Sequence, residues 1–249
     1  MNNKLSINNI KKIFQTKEGE LCAIDDVSFD LRDGEILAIV GTSGCGKSTL
    51  LNIIAGLDSP TEGTLLAEND NPKISYMLQS DALLPWRNVL SNACLGLELE
   101  RKLDSESKLR VEEMLKDYGL GDFLSQYPSG LSGGMKQRVA LIRSLAIEPD
   151  ILLLDEPFSA LDYYTRVTIS EDVHDMIKKS GTSAIIITHD IHEALSIGDR
   201  VIVLSSRPSK VKNIYEVDFK DVPSVLEKRG LPRFNELYKS IWGDLDEEI

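Results

Sequence analysis

The feature that most constrains the fold of this chain is a glycine-rich loop between an apolar segment and a helical segment. Residues 41–49 read Gly-Thr-Ser-Gly-Cys-Gly-Lys-Ser-Thr and match the pattern G-x-x-x-x-G-K-[ST]. Residues 35–40, apolar from Ile36 onward, predict a strand before the loop, and residues 47 to about 55 predict a helix. In this context the loop is expected to wrap phosphate groups with its backbone N–H groups. A glycine-rich turn without a ligand is the alternative, and the complete match disfavours it.

Two residues of this phosphate loop (residues 41–49) have specific predicted roles. Lys47 is expected to reach the β- and γ-phosphates of a nucleotide and to take part in catalysis, and the Ser48 hydroxyl is expected to ligate Mg²⁺. The rest of the loop should contact the same nucleotide, so the predicted binding set is Gly41, Thr42, Ser43, Gly44, Cys45, Gly46, Lys47, Ser48 and Thr49.

An acidic pair ends a second apolar segment. Residues 151–154 read Ile-Leu-Leu-Leu, and Asp155 and Glu156 follow them. Ligands of open α/β sheets bind at the carboxyl ends of the strands, so this pair should face the phosphate loop. We expect Asp155 to organise the Mg²⁺ shell and Glu156 to polarise the water that attacks the γ-phosphate. A solvated acidic pair without a function is the alternative, which the loop upstream disfavours.

Polar residues end two further predicted strands. Gln79 follows residues 73–78, and His189 follows residues 184–188. The Gln79 amide can ligate Mg²⁺ or hold the attacking water, and His189 can hydrogen-bond to the γ-phosphate. A lone histidine is more often structural, but the position of His189 at a strand end favours a function.

A second anion-binding end is predicted at residues 131–138, which read Leu-Ser-Gly-Gly-Met-Lys-Gln-Arg. Ser132 occupies the position of a helix N-cap, and Gly133 and Gly134 allow close approach of a backbone to a ligand. The free N–H groups at a helix N-terminus bind anions. Two separate phosphate-binding ends in one chain indicate a protein that works as a dimer.

The order of the predicted elements defines the fold class. Residues 3–33 alternate in polarity and predict an antiparallel β-layer, and strands alternate with helices from residue 150 onward. Residues 87–148 have a helical pattern and interrupt the sheet. We therefore predict an α/β fold with the parallel-sheet core of P-loop NTPases, an N-terminal antiparallel β-layer and an inserted α-helical subdomain.

The chain is expected to form one domain over residues 1–249. Its predicted parts are a core (residues 1–86 and 149–215), a helical subdomain (residues 87–148) and a C-terminal helical tail (residues 216–249). Around the start of the tail we expect one strand from about residue 213, followed by a single helix from Pro223 to the end.

Composition narrows the class of partner. The chain has 28 basic and 40 acidic residues and a net charge of −12, which argues against a nucleic-acid partner. Its cysteine count is odd, without metal-type spacing, and indicates a reducing, cytosolic compartment. The N-terminus has no apolar signal core, and no apolar run has the length of a membrane span.

Taken together, these motifs resemble the ATP-binding subunit of an ATP-binding cassette (ABC) transporter. The phosphate loop resembles the family's Walker A motif, and residues 151–156 resemble its Walker B motif. Residues 131–138 resemble its signature and are called the signature segment below. Ser-Ala-Leu-Asp at residues 159–162 resembles its D-loop, which ends with Asp162.

Three single residues extend the resemblance. Gln79 resembles the family's Q-loop glutamine, and His189 resembles its switch histidine. Phe14 resembles the aromatic residue that stacks on adenine, although one aromatic residue on a β-layer is as often part of a core.

The resemblance implies ATP and Mg²⁺ as cofactors and a head-to-tail dimer of two copies. The phosphate loop of one copy would face the signature segment of the other, including Ser132, Gly133 and Gly134. Glu156 would be the general base, and His189 would link the γ-phosphate to the opposite D-loop. Hydrolysis would drive an integral membrane permease, with the chain bound peripherally at the cytoplasmic face of the membrane and an extracellular solute-binding protein involved indirectly.

A finer resemblance lies after Gln79. Residues 81–89, Asp-Ala-Leu-Leu-Pro-Trp-Arg-Asn-Val, are similar to importers of nitrate, sulfonate, taurine and thiamine-precursor pyrimidines. In that family this region forms a groove that receives a short helix of the membrane subunit. Ordinary core packing of Leu84 and Trp86 is the alternative.

Other readings of the same motifs stay open. An ATPase of a lipoprotein-release or cell-division complex would share the nucleotide chemistry, and so would a soluble iron–sulfur-assembly ABC ATPase. A DNA-repair ABC protein would need a long coiled coil between Gly46 and Asp155, and the chain has no heptad stretch there. A nucleotide-binding structural module is disfavoured by Glu156 and His189.

Overall fold

Two sheets frame the molecule in a computed structural model, which describes residues 3–17, 19–219, 222 and 224–246. The smaller sheet contains β1 (Asn3–Thr16), β2 (Gly19–Arg32) and β4 (Glu62–Ala67). The larger sheet contains β3 (Ile36–Val40), β5 (Ile74–Met77), β6 (Ile151–Asp155), β7 (Ser183–Thr188), β8 (Arg200–Leu204) and β9 (Val211–Glu216).

The smaller sheet is the antiparallel layer expected at the N-terminus, with strand order β2-β1-β4. Ile7 of β1 lies between Phe29 of β2 and Leu65 of β4, and buried residues of this layer pack towards the larger sheet. The strand β4 was not predicted from the sequence. Most of its residues are exposed, so it lacks the alternating apolar pattern that identifies a half-buried strand.

The larger sheet has the strand order β5-β6-β7-β3-β8-β9. Its first five strands pair in parallel, and β9 is an antiparallel edge strand beside β8. Every residue of β3 and β7 is buried, as expected for strands covered on both faces. The predicted parallel-sheet core is therefore confirmed, and the carboxyl ends of five strands lie along one edge.

Helices cover the larger sheet and fill the insertion between β5 and β6. The insertion contains α2 (Val89–Ala93), α3 (Leu95–Leu99), α4 (Ser105–Asp117) and α5 (Gly133–Leu145). The other helices are α1 (Lys47–Ile54), α6 (Tyr163–Ser180), α7 (Ile191–Ile197), α8 (Val225–Arg229) and α9 (Pro232–Asp246). None of the helices in the described part of the chain has the length and apolar character needed to cross a membrane.

The inserted helices share one apolar core with the sheet. Val111 of α4 and Ile142 of α5 belong to the same buried cluster as Leu152 and Leu154 of β6. Phe158, which follows β6, is fully buried in that cluster. A displacement of the insertion therefore acts directly on the segment that follows β6.

The tail differs from the single helix expected from Pro223. It contains two helices, α8 and α9, and the break between them lies at Gly230 and Leu231. Proline lacks a backbone N–H and has a suitable fixed φ, so Pro232 begins a helix rather than continuing one. Parts of the expected tail, Pro223 and residues 247–249, lie outside the described residues. Glu216, which was assigned to the tail, is the last residue of β9.

A glycine of β4 tests the packing of the smaller sheet. Gly63 in β4 has φ +94°, and a Cβ there would lie 2.3 Å from the Asn9 carbonyl oxygen. We expect Gly63→Ala to lower the free energy of unfolding by more than about 1 kcal/mol, because the residue would be strained and would clash. Thermal or urea unfolding measures this effect.

Gly243→Ala is the matched control. This glycine lies in α9, and a Cβ there would have nothing within 4 Å. Alanine should raise the free energy of unfolding by roughly 0.5–1 kcal/mol, because it favours a helix more than glycine does. Equal stability of Gly63→Ala and the unmodified chain would contradict the tight contact between β4 and β1.

Candidate functional site

The phosphate loop is the turn between β3 and α1. Gly46 caps α1 with φ 116°, and a Cβ there would lie 3.1 Å from the Ala23 carbonyl oxygen, so the position requires glycine. Lys47 Nζ donates to the carbonyl oxygens of Gly41 (2.8 Å) and Thr42 (3.1 Å). Since Lys47 is only 6% exposed, the loop carries a buried positive charge at the carboxyl end of β3.

Asp155 lies across from the loop at the end of β6. Ser48 Oγ donates to Asp155 Oδ1 over 3.4 Å, and the Tyr76 hydroxyl donates to Asp155 Oδ2 over 3.2 Å. Burial raises the pKa of the Asp155 carboxyl, and Glu156 acts in the same direction, whereas the bonds from Ser48 and Tyr76 lower it. A cation beside this carboxylate would offset the cost of burying its charge.

Glu156, Gln79 and His189 meet although they come from three different strand ends. Gln79 Nε2 donates to Glu156 Oε2 over 3.3 Å, and His189 Nδ1 lies 3.2 Å from the same oxygen. The backbone of Glu156 is in the left-handed region, with φ +45°. Ser159 Oγ of the D-loop donates to the Glu156 carbonyl oxygen over 3.1 Å. The structure thus places Gln79 and His189 within hydrogen-bonding distance of the Glu156 carboxylate.

The signature segment lies on a different part of the molecule. Ser132 is the N-cap of α5, and its Oγ accepts a hydrogen bond from Met135 N over 3.3 Å. Ser132 and Gly133 are exposed, so the N–H groups at the start of α5 face outward. Among the described residues, no hydrogen bond or ion pair joins Ser132 to the phosphate loop of its own chain.

Gly134 has a packing role that the sequence did not indicate. A Cβ at Gly134 would lie 2.9 Å from Thr165 Cγ2 and 3.2 Å from Ile169 Cδ1, both on α6. The glycine was expected to allow close approach to a ligand. In this chain it allows the close approach of α5 to α6, which follows directly after the D-loop.

The remaining predicted residues lie on exposed segments. Asp162 is the N-cap of α6 and accepts hydrogen bonds from Thr165 N (3.1 Å) and Thr165 Oγ1 (2.6 Å), which lower the pKa of its carboxyl. Phe14 on β1 is half-buried, and the Lys12 ammonium lies 4.9 Å from the centre of its ring. One ring face of Phe14 therefore has a cation beside it.

Two residues that support the loop after Gln79 were missed by sequence reasoning. Asn92, fully buried in α2, accepts from Leu84 N (2.8 Å) and donates to the Leu84 carbonyl oxygen (3.1 Å). Arg143 of α5 donates to the carbonyl oxygens of Asp81 and Ala82, each over 2.8 Å. An asparagine in an otherwise apolar helix is a signal for Asn92, but nothing local marks Arg143.

Arg143 connects α5, the helix that contains most of the signature segment, to the loop that follows Gln79. Burial lowers the pKa of its guanidinium, and Asp81 opposes this shift. On the same loop, Trp86 is 72% exposed, so ordinary core packing does not account for it. The helix α5, whose N-cap is Ser132, is therefore hydrogen-bonded to a loop that carries an exposed tryptophan.

The C-terminal helix also reaches the site, which the sequence did not indicate. A cavity of about 310 Å³ lies between the phosphate loop, the segment that begins at His189, and α9. Tyr238 and Trp242 line it from α9, and Tyr238 packs against His192 of α7 with ring centres 4.5 Å apart. One wall beside the phosphate loop is thus built by the tail.

Known proteins are similar to this chain in sequence and in fold. The sequence profile of the ABC transporter family matches residues 24–159. YtlC of Bacillus subtilis (strain 168), named an uncharacterized ABC transporter ATP-binding protein, is 39% identical over 249 residues, covering 97% of this chain and 95% of that protein. The taurine import ATP-binding protein TauB of Roseobacter denitrificans is 38% identical over 258 residues, covering 98% of this chain and 96% of TauB.

A solved structure agrees with the sequence relatives. The dimeric structure of MJ0796, described as a bacterial ABC transporter cassette, superposes with a TM-score of 0.73 at 32% identity, covering 86% of this chain and 99% of that chain. The profile spans more than half of the chain, and both relatives match nearly all of it. The chain therefore belongs to the ABC transporter family, and it is an ATP-binding cassette ATPase.

Proposed function

We propose that this chain is the ATP-hydrolysing subunit of an ABC importer and powers solute uptake through a partner permease by ATP-driven closure of a dimer. The observation that carries the proposal is the convergence of Gln79 and His189 on one oxygen of Glu156, beside a loop that holds Lys47. A binding module would not need a carboxylate held by two polar groups next to a phosphate site.

Glu156 is the proposed general base. Its Oε2 can accept a proton from the water that attacks the γ-phosphate, and Gln79 and His189 fix the direction of that carboxylate. Lys47 stabilises negative charge on the phosphates, because its ammonium is already held within the loop by two carbonyl oxygens. Gln79 and His189 thus act by holding Glu156 in position, and Lys47 acts through its charge.

The residues present fit Mg²⁺ as a second cofactor beside ATP. Ser48 Oγ and Asp155 Oδ1 lie 3.4 Å apart, and both offer the oxygen ligands that this ion prefers. Gln79 can contribute its amide oxygen. When bound beside these residues, the cation would neutralise negative charge on the phosphates of ATP.

Two copies of the chain complete each ATP site in the proposed dimer. The start of α5 offers outward-facing N–H groups at Ser132 and Gly133, which suit the phosphates held by another copy. The dimeric cassette among the similar structures supports this arrangement. The exposed Asp162 would face the site of the partner copy, and Phe14 would stack on the adenine of its own ATP.

The helical insertion is the proposed route to the membrane partner. We propose that residues 87–148 move as a subdomain against a core of residues 1–86 and 149–215. Arg143 would carry this motion to the loop of Leu84 and Trp86, where a helix of the permease docks. The chain would then lie peripherally at the cytoplasmic face of the membrane.

The solute group is proposed from the loop and from one relative. Residues 81–89 resemble importers of nitrate, sulfonate, taurine and pyrimidine precursors, and TauB is named a taurine import protein. The proposed solute belongs to this group and reaches the permease from an external solute-binding protein. The permease and the binding protein would select it, because the site residues proposed for this chain are directed at ATP.

Glu156→Gln should abolish hydrolysis and leave ATP binding intact, because the amide keeps the shape of the side chain but cannot accept the proton. We expect turnover to fall by roughly 10²–10⁴-fold, with the dissociation constant for a fluorescent ATP analogue unchanged. Glu113→Gln, on an exposed part of α4, is the control and should turn over normally. Near-normal turnover of Glu156→Gln would refute the assignment of the base.

Ser132→Arg should prevent ATP-driven dimerisation without loss of ATP binding, because a large cation would occupy the surface that meets the partner copy. Size-exclusion chromatography of the Glu156→Gln background with saturating ATP measures the dimer, and the fluorescent analogue measures binding. Ser105→Arg, exposed at the start of α4, should still dimerise. Loss of ATP binding in Ser132→Arg would contradict the role of this residue in the partner's site.

Trp86→Ala should uncouple the chain from its permease. We expect ATPase activity of the isolated chain to persist and stimulation by the reconstituted permease to disappear, because the exposed ring would be part of the docking contact. Leu66→Ala, an equally exposed apolar position on β4, is the control and should keep the stimulation. Full stimulation of Trp86→Ala would remove this loop as the docking site.

A further inference from the structure

Arg166 of α6 joins three segments that border the site. Its Nη2 donates to the Leu161 carbonyl oxygen over 3.0 Å, and its Nη1 donates to Asp190 Oδ2 over 3.3 Å. Its Nε lies 3.5 Å from Glu193 Oε1. Leu161 belongs to the D-loop, Asp190 directly follows His189, and Glu193 lies on α7. One guanidinium therefore contacts all three segments.

Thr188 and Glu193 secure the other side of His189. Thr188 Oγ1 donates to Glu193 Oε2 over 2.5 Å and accepts a hydrogen bond from Asp190 N over 3.0 Å. The side chain of Glu193 is only 4% exposed. The backbone is thus fixed immediately before and after His189, whose Nδ1 lies 3.2 Å from Glu156 Oε2.

Arg166 supplies a positive charge beside two neighbouring carboxyl groups, those of Asp190 and Glu193. Burial raises the pKa of the Glu193 carboxyl and Asp190 adds to the rise, whereas the Thr188 hydroxyl, Arg166 and His189 lower it. Without Arg166, Glu193 would lose its guanidinium partner, and Asp190 would keep, among the described residues, only the ring of His192 as an ion-pair partner, whose Nδ1 lies 3.4 Å from Asp190 Oδ1. The two carboxyl groups would separate, or Glu193 would take up a proton, and either change disturbs the bonds on both sides of His189.

The contact also has room to tighten. Among the described residues, Arg166 Nε has no hydrogen-bond partner, although Glu193 Oε1 lies 3.5 Å away without the geometry of a hydrogen bond. A small approach of α6 to α7 would convert this contact into a hydrogen bond. A shift of the D-loop at the start of α6 therefore changes the bonding of the segment around His189.

We propose that Arg166 is a positioning residue for ATP hydrolysis, which links the D-loop to the backbone around His189 and so sets the geometry of the His189–Glu156 pair. The proposal rests on the roles assigned above to Glu156 and His189. Arg166 acts through these residues, so its loss should affect turnover more than nucleotide binding.

A purely structural clasp between α6 and α7 is the competing explanation, and the chain offers a matched control for it. Arg200 and Glu35 form another ion pair, with Arg200 Nη1 3.1 Å from Glu35 Oε1 and side chains 7% and 4% exposed. These residues lie at the amino-terminal ends of β8 and β3, away from the site. Weakening this pair should cost stability without a specific effect on turnover.

The first test compares Arg166→Ala, Arg166→Lys and Glu193→Gln with Arg200→Lys and Glu35→Gln in the full chain. We expect Arg166→Ala to lower kcat by about tenfold or more and to change the dissociation constant for the ATP analogue by less than about threefold. The kcat of Arg166→Lys should lie between that of Arg166→Ala and that of the unmodified chain. The controls should keep kcat within about twofold at a comparable loss of melting temperature. If Arg166→Ala does not fold, Arg166→Lys and Glu193→Gln decide the outcome.

Two kinetic results would overturn the proposal. The first is a kcat of Arg166→Ala within about twofold of that of the unmodified chain. If Arg166→Ala does not fold, the same result for both Arg166→Lys and Glu193→Gln counts instead. The other is a fall in kcat that matches the controls at equal loss of melting temperature.

The second test observes His189 without relying on hydrolysis. The chain has only 3 histidines, so the ring signals of ¹³C-labelled histidine can be assigned with a His189→Gln variant. Arg166→Lys should shift the His189 signal and leave that of His174, which lies further along α6 beside Asp175, unchanged. Glu35→Gln should shift none of them.

The two tests separate the possible failures. An unmodified chain that does not hydrolyse ATP in its assembled complex would refute the proposed function. An unshifted His189 signal in Arg166→Lys would refute the positioning role alone.

Discussion

Parallel pairing of β6, β7 and β3 is the constraint on which the rest of the site depends. Asp155 lies opposite Ile187, and Val40 lies opposite Thr188, so the three strands end at the same level. The phosphate loop, the acidic pair and His189 leave the sheet side by side for this reason. A slip of one residue in either pairing would turn the polar groups away from each other.

The helical insertion is joined to this edge through polar contacts as well as through the common core. Arg143 bonds two carbonyl groups in the loop after Gln79, and Gly134 lets α5 lie close against α6. Because α6 begins at Tyr163, directly after the D-loop, α5 contacts both the loop after Gln79 and the helix after the D-loop. The proposed motion of α5 would therefore be transmitted in two directions, towards the surface around Trp86 and towards the residues next to Glu156.

Local patterns predicted the strand ends and the phosphate loop because both depend on neighbouring residues in the sequence. The contacts of Tyr76 with Asp155, and of Arg166 with Asp190, depend on which strands and helices are adjacent, and one sequence does not reveal that adjacency. The edge strand β4 escaped prediction because most of its residues are exposed. Gly134 was assigned to ligand approach because a glycine required by helix packing looks the same in sequence.

The backbone of Glu156 imposes a conflict between stability and activity. A residue with a long side chain at φ +45° is strained, and positions of this kind cost about 1 kcal/mol or more. Glycine or asparagine would relieve that strain, but neither could act as the general base proposed for Glu156. Selection for thermal resistance alone would therefore enrich variants that have lost the carboxylate. A glutamate at this position therefore supports the proposed turnover at a cost in conformational strain.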